Sequence, residues 1–129
     1  MKDNEKWAYQ LNLLLDLGRD VYVNSINSYE CLEKYDGDNQ YFIAANYLGM
    51  AHNAYLSLLI FIEKNALEGS EVNEFISAFN EYKIQLDEVI VKKDKNTSWL
   101  YSANNNLIKS YKRFNDVISS FVKESMKNV

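Results

Sequence analysis

One stretch of the chain limits its possible folds more than any other. Residues 41–62 include no Asp, Glu, Lys or Arg, although such residues make up 25% of the chain. Apolar side chains recur along this stretch every three or four residues, on nearly every side of a helix. A helix that is apolar nearly all round is buried on more than one side. We therefore expect residues 41–62 to form the most buried helix of a helical protein.

The same stretch is long enough to cross a bilayer, which takes about 20 apolar residues. However, Asn46, His52 and Asn53 interrupt it, and its tyrosines are not confined to its ends. We therefore predict a helix buried in a soluble protein, with no membrane contact. The polar first ten residues do not fit a secretory signal. Because Cys31 is the single cysteine, no internal disulfide is possible, and we expect a cytoplasmic protein.

The remainder of the chain predicts further helices. It has 129 residues, no proline and only four glycines, whereas sandwiches and barrels need frequent turns rich in both. Apolar residues repeat at helical spacing in four segments, separated by polar turns near residues 36–39, 68–70 and 93–98. Short connections make neighbouring helices antiparallel. The predicted fold is all-α, a single domain over residues 1–129 that forms an up-down-up-down antiparallel four-helix bundle.

Local signals predict where these helices begin and end. We expect the first helix over residues 4–35 and the second to end near residue 67. Gly37 can adopt a left-handed conformation between them, and Asp38 or Asn39 can cap the second helix. The pair at residues 69–70 is a stop followed by a cap, and Thr97 or Ser98 caps the fourth helix. The third helix has an apolar stripe formed by Val72, Phe75, Phe79, Tyr82, Leu86 and Val89.

The residue types that carry chemistry are scarce. One histidine and one cysteine are too few for a structural zinc site, and there is no Gly-rich phosphate loop. Antiparallel packing places Cys31 roughly 12 Å from His52 at 1.5 Å per residue, too far for a nucleophile and its base. We predict neither a cofactor nor a metal, and the sequence favours a non-enzymatic protein.

In antiparallel helices, residues equally far before and after a turn lie at the same height in the bundle. Applied to the predicted turns, this rule places several polar residues at one height. His52 falls level with Tyr22 and Asp87, and with Asn104 or Asn105 on the fourth helix. In the preferred interpretation this polar layer fixes the register of the helices. In the alternative, it lines a small pocket that contains a histidine with a tuned pKa.

Charge is distributed unevenly along the chain. Residues 1–91 hold six basic and fifteen acidic residues, a net charge of −9, while residues 92–129 hold eight and three, a net charge of +5. The affinity of a protein for nucleic acid grows with the number of phosphates that its basic residues neutralise. A pI of about 5.0 therefore gives little support to the hypothesis that this chain binds nucleic acid. The candidate surface for it consists of Lys92, Lys93, Lys95, Lys109, Lys112, Arg113, Lys123 and Lys127.

The second helix has more apolar sides than one bundle core needs. One line of it, formed by Ile43, Tyr47, Met50 and Phe61, points away from the predicted core seam. Aromatic residues and Met are enriched at protein interfaces. We therefore predict a protein-binding bundle whose partner is another protein or a second copy, such as an immunity protein, inhibitor or adaptor of a bacterium or phage. The alternatives are a small-molecule-binding or enzymatic bundle built around His52, and a nucleic-acid-associated subunit.

Overall fold

Four helices account for nearly all of the chain. The computed structural model describes the backbone of residues 2–127 and the side chains of residues 4–127. No strand is present in these residues, so the predicted all-α four-helix bundle is confirmed. The helices are α1 (Lys2–Lys34), α2 (Asp38–Asn65), α3 (Ser70–Lys92) and α4 (Ser98–Met126).

The helices form a closed ring of four. The connections at residues 35–37, 66–69 and 93–97 are short, so each helix runs antiparallel to the one before it. α1 packs against both α2 and α4, and α3 packs against α4. The contact between α2 and α3 is the thinnest of the four.

Each helix contributes one apolar stripe to a shared core. All six residues of the stripe predicted for α3 are buried. The corresponding seam of α2 is also buried, whereas most of that helix's other sides are not. Within the described residues, no helix combines the length and apolarity needed to cross a bilayer. The buried seam of α2 consists of Ala44, Leu48, Ala51, Tyr55, Leu58 and Ile62.

The expectation that residues 41–62 form the most buried helix is wrong. Nine of these residues are exposed, and α2 buries only one seam. The reason lies in the architecture, because in a ring of four each helix has two neighbours and keeps an outer side. An apolar sequence on that outer side is not buried by this chain.

Gly18 marks a close approach of α1 to α4. A Cβ atom at Gly18 would lie 2.5 Å from Cε1 of Phe114, whose ring is fully buried. Such a distance is well inside van der Waals contact. Only glycine fits here without moving the Phe114 ring.

The helix ends differ from the predicted ones in detail. Gly37 has the expected positive φ of 68°. The C-terminus of α2, however, is closed by Ala66 in the left-handed conformation, with Leu67 N–H donating to the carbonyl oxygen of Ile62. Leu67 and Ile62 are both buried, the apolar contact that accompanies this type of cap. Thr97 makes no side-chain cap bond for α4; instead Asn96 Oδ1 accepts a hydrogen bond from the Ser98 backbone N–H.

Candidate functional site

Two residues of the predicted polar layer, Tyr22 and Asp87, pair with residues outside it. The Tyr22 ring stacks on that of Tyr111 of α4, with centroids 4.0 Å apart and planes 5° from parallel. Asp87 Oδ2 accepts from Lys83 Nζ at 2.8 Å in an ion pair one turn apart on α3. In the described part of the chain, no hydrogen bond joins any two of the predicted residues Tyr22, His52, Asp87, Asn104 and Asn105.

His52 lies half-buried on α2. Its ring is 6.0 Å from that of Tyr55, which in turn packs on Phe79 at 4.7 Å. His52 Nδ1 is buried and has no hydrogen-bond partner. A histidine that acts as a general base is oriented by a third group at its other nitrogen. Among the described residues, no carboxylate forms a hydrogen bond or an ion pair with His52.

A different polar cluster occupies the core between α1 and α3. Tyr82 Oη donates to the backbone oxygen of Ser25 at 2.8 Å, and lies 2.6 Å from Ser28 Oγ. Ser25 Oγ donates to the carbonyl oxygen of Val21 at 2.7 Å. All three polar side chains are completely buried. The cluster therefore fixes α3 against α1 with partners for each hydroxyl, as buried polar groups require.

The protonation of this cluster is fixed as well. Burial raises the pKa of Tyr82 far above its ordinary range, and the hydrogen bond with Ser28 offsets only part of that rise. The phenol is consequently a neutral donor at physiological pH. Because solvent cannot reach it, it has a structural role rather than a catalytic one.

Asn104 is the one predicted layer residue that is fully buried. Tyr22 of α1 and Tyr111 of α4 stack, so they lie at the same height in the bundle. Because the two helices are antiparallel, Asn104, seven residues before Tyr111, lies level with Tyr29, seven residues after Tyr22. Its Oδ1 atom has no hydrogen-bond partner. Asn105 beside it is half-buried.

Comparison of the chain with known protein families, curated proteins and solved structures gave no match. The functional surface must therefore be found from the residues themselves.

Clefts lie at both ends of the bundle. One of about 340 Å³ lies where α1 meets α2 and the α3–α4 connection, and Glu33, Asp94 and Lys95 are its charged lining residues. Tyr29 and Tyr41 line it above Leu32 and Val89. The smaller one, of about 120 Å³ at the opposite end, is mainly apolar and includes Trp7. Among the described residues, no three His, Cys, Asp or Glu side chains lie close enough together to hold a metal ion.

The basic residues of the C-terminal part are partly paired with acids of the same chain. Arg113 contacts Glu74 of α3 at 3.2 Å, and Lys93 contacts Asp38 of α2 at 2.8 Å. Lys127 lies 3.6 Å from Glu124. The positive charge of the C-terminal part is thus partly neutralised by the acidic N-terminal part and by its own helix.

The predicted partner line of α2 lies largely beside α1. Ile43, Tyr47 and Phe61 are half-buried, and Phe61 packs against the core. Asn65, which follows this line, accepts a hydrogen bond from Gln10 of α1 at 2.9 Å. Of the four predicted residues only Met50 is exposed, by 53%.

Another set of α2 residues faces solvent instead. Phe42 is 70% exposed, Ile60 66% and Leu56 44%. They lie opposite the buried seam, so the helix is apolar on both sides. We call the exposed set the outer face of α2. It consists of Phe42, Ala45, Asn46, Gly49, Met50, Asn53, Leu56, Ser57 and Ile60, none of them charged.

The sequence contains the signal for this face. Phe42, Gly49 and Leu56 are spaced by seven residues, and so lie on one side of the helix, away from the seam that starts at Ala44. Sequence reasoning placed the partner surface on the line through Ile43, Tyr47, Met50 and Phe61 instead. Of these four residues only Met50 belongs to the outer face.

Proposed function

We propose that this protein is a non-enzymatic interaction module that binds another protein chain through the outer face of α2. The observation that carries the proposal is the absence of charge on nine exposed residues spanning about 27 Å of helix. Contiguous exposed apolar patches mark interaction sites. Interface cores are depleted of charge, as this face is, and Phe42 and Met50 are of residue types that are enriched there.

The remainder of the molecule supports the same proposal. The buried phenol of Tyr82 and the two serines are hydrogen-bonded to one another and out of reach of a substrate. A bundle of this type acts by covering part of a partner's surface, as inhibitors, immunity proteins and adaptors do.

A matched pair of substitutions tests the proposal. Leu56→Glu places a charge in the outer face, and Val23→Glu places the same charge on α1 at a residue that is equally exposed, 44% against 45%. The tagged wild-type protein and both tagged variants are each recovered from the native host, and the proteins bound to them are identified by mass spectrometry. We expect the wild type and the Val23→Glu variant to retain the same bound protein. The Leu56→Glu variant should retain at least tenfold less of this protein, because burying an unpaired charge in an interface is costly.

Circular dichroism of both variants should show unchanged helix content, since both positions face solvent. If the Leu56→Glu variant retains the bound protein as well as the Val23→Glu variant does, the outer face is not the binding surface.

A further inference from the structure

We infer that the cleft of about 340 Å³ between α1, α2 and the α3–α4 connection binds a small organic amine in its protonated, cationic form. Its volume lies within the range of ligand pockets in proteins, about 300–1,000 Å³. None of the residues that line it belongs to the outer face of α2. The cleft is therefore a second site, separate from the surface of the proposed function.

The floor of the cleft is apolar and held in place by the core. Val89 of α3 belongs to the buried core, and Leu32 of α1 packs against that core. Tyr29 and Tyr41 are half-buried beside them and pack on the same core. Because packing fixes these four side chains, the cleft is formed before a ligand enters. Its floor suits the hydrocarbon or aromatic body of a ligand.

The two tyrosines also favour a positively charged ligand. The face of an aromatic ring is electronegative and attracts a cation that lies over it. In the part of the chain that the structure describes, no aromatic ring stacks on Tyr29 or Tyr41. The rings that line this cleft are thus free to contact a ligand.

The charged side chains of the cleft favour the same sign of ligand. Two of them, Glu33 and Asp94, are acidic and one, Lys95, is basic, so their net charge is negative. Burial raises the pKa of Tyr29, and the negative charge of Glu33 raises it further. The Glu33 carboxylate therefore lies close enough to the Tyr29 ring for one cation to interact with both.

The acids of the cleft are available to a ligand. Among the described residues, all six ion pairs lie elsewhere, so neither Glu33 nor Asp94 is paired with Lys95. Asp94 Oδ1 accepts a hydrogen bond from the backbone N–H of Asn96 at 2.9 Å, which orients the carboxylate. A primary ammonium group donates several hydrogen bonds and needs acceptors of this kind. The cleft thus matches both the charge and the donors of a protonated amine.

Phenethylamine is a suitable probe, because it joins a primary ammonium group to an aromatic ring. The amide chemical shifts of the isotopically labelled full chain are followed by NMR as the amine is added into the high-millimolar range. We expect saturable shifts at residues 29–33, 40–41 and 94–97. The neutral alcohol 2-phenylethanol should bind about tenfold more weakly, because it lacks the charge-assisted hydrogen bonds of the ammonium group.

Substitutions of opposite charge test the role of the acids. Glu33→Gln should weaken phenethylamine binding about threefold, since an exposed charge pair contributes modestly. Lys95→Gln should strengthen binding by a similar factor, because it removes a like charge from the cleft. A purely structural disturbance would not produce opposite effects. Glu33 and Lys95 are both exposed, so the variants should fold, which circular dichroism verifies.

Matched controls separate charge in the cleft from the net charge of the chain. Glu5→Gln makes the same change on α1 at an exposed residue about 40 Å from Glu33. Lys112→Gln makes the change of Lys95→Gln at an exposed residue of α4 that does not line the cleft. Neither control should alter the dissociation constant of phenethylamine.

Several results would overturn the inference. Phenethylamine could give no saturable shift, or its saturable shifts could lie outside the cleft. Equal binding of the amine and the alcohol would mean that the cleft recognises the ring alone. Glu33→Gln and Lys95→Gln that change the affinity in the same direction, or no more than their controls do, would show that its charges do not select the ligand. Each of these results leaves the proposed function intact, because that function is tested by Leu56→Glu on the outer face of α2.

Discussion

At the scale of single residues, Tyr82 has the most specific environment in the bundle. Sequence periodicity predicts its burial, because it belongs to the apolar stripe of α3. Its partners could not be predicted in the same way. Serine hydroxyls within helices commonly bond to their own backbone, as Ser25 does to Val21. Which serine also meets another helix depends on the rotation of both helices, which apolar spacing alone does not give.

We expect Tyr82→Phe to lower the free energy of unfolding by about 1–2 kcal/mol, because it removes a buried hydroxyl with two partners while keeping the ring. Urea denaturation at neutral pH measures the change. Tyr101→Phe is the control, since Tyr101 is 57% exposed and its loss should change stability by less than about 0.5 kcal/mol. Equal effects of the two substitutions would contradict the role assigned to the cluster.

The effect of this substitution should depend on pH in a defined direction. Burial raises the pKa of Tyr82 in the folded chain above the ordinary value of 10.0. Above pH 10 the unfolded chain releases a proton that the folded chain keeps, so stability falls as pH rises. This contribution is fully present below that pH. Tyr82→Phe should therefore flatten the decline in urea midpoint above about pH 10. Some decline should remain, because burial raises the pKa values of Tyr22 and Tyr111 too.

At the scale of helices, most boundaries and the buried stripes could be predicted, whereas the exposed outer face of α2 could not. Gly37 and the polar residues after Lys92 are local signals, and the structure ends its helices there within a few residues of the prediction. The caps at Ala66 and Lys93 lack a glycine, so nothing in the local sequence identifies them. Ala66 is held in place by the contact of Leu67 with the core, which is a tertiary effect. Apolar spacing likewise cannot say whether a second helix covers a given side.

The two helical glycines should respond in opposite ways to the same substitution. Alanine is favoured over glycine in a helix by roughly 1 kcal/mol. Gly49→Ala meets open space and should raise stability by about 0.5–1 kcal/mol. Gly18→Ala drives a methyl group into the buried Phe114 ring and should lower stability by about 1–2 kcal/mol.

Urea titration of each variant against the wild type measures both changes in stability. If the ring is the obstacle, Phe114→Leu should lower stability less in the Gly18→Ala variant than in the wild type. It should even raise stability there if relief of the clash outweighs the lost packing. A Gly18→Ala variant as stable as Gly49→Ala would show that α1 and α4 do not approach closely at this point.

At the scale of the whole molecule, one core holds the helices together. Its buried residues come from all four helices. All six ion pairs of the described residues, by contrast, lie between side chains that are at least partly exposed. Exposed pairs contribute little, about 0–1 kcal/mol each. Stability therefore depends mainly on packing.

We therefore expect residues 1–129 to unfold in a single cooperative transition. Trp7 lines the apolar cleft at one end of the bundle, so in a Trp99→Phe variant its fluorescence reports that end alone. Far-UV circular dichroism reports the helices of the entire chain. Coincident urea midpoints for the two signals are expected for one domain. An earlier midpoint for Trp7 would mean that this end of the bundle unfolds separately.

The order of the helices along the chain has a consequence for biosynthesis. The N-terminal pair, α1 and α2, has the most extensive contact of any two helices, and it leaves the ribosome before α3 and α4 do. During that interval α2 presents its seam and its outer face to solvent together, an apolar surface on two sides of one hairpin. Nascent chains on the same messenger would then meet with both surfaces open. The pace at which α3 and α4 are translated decides how long that exposure to aggregation lasts.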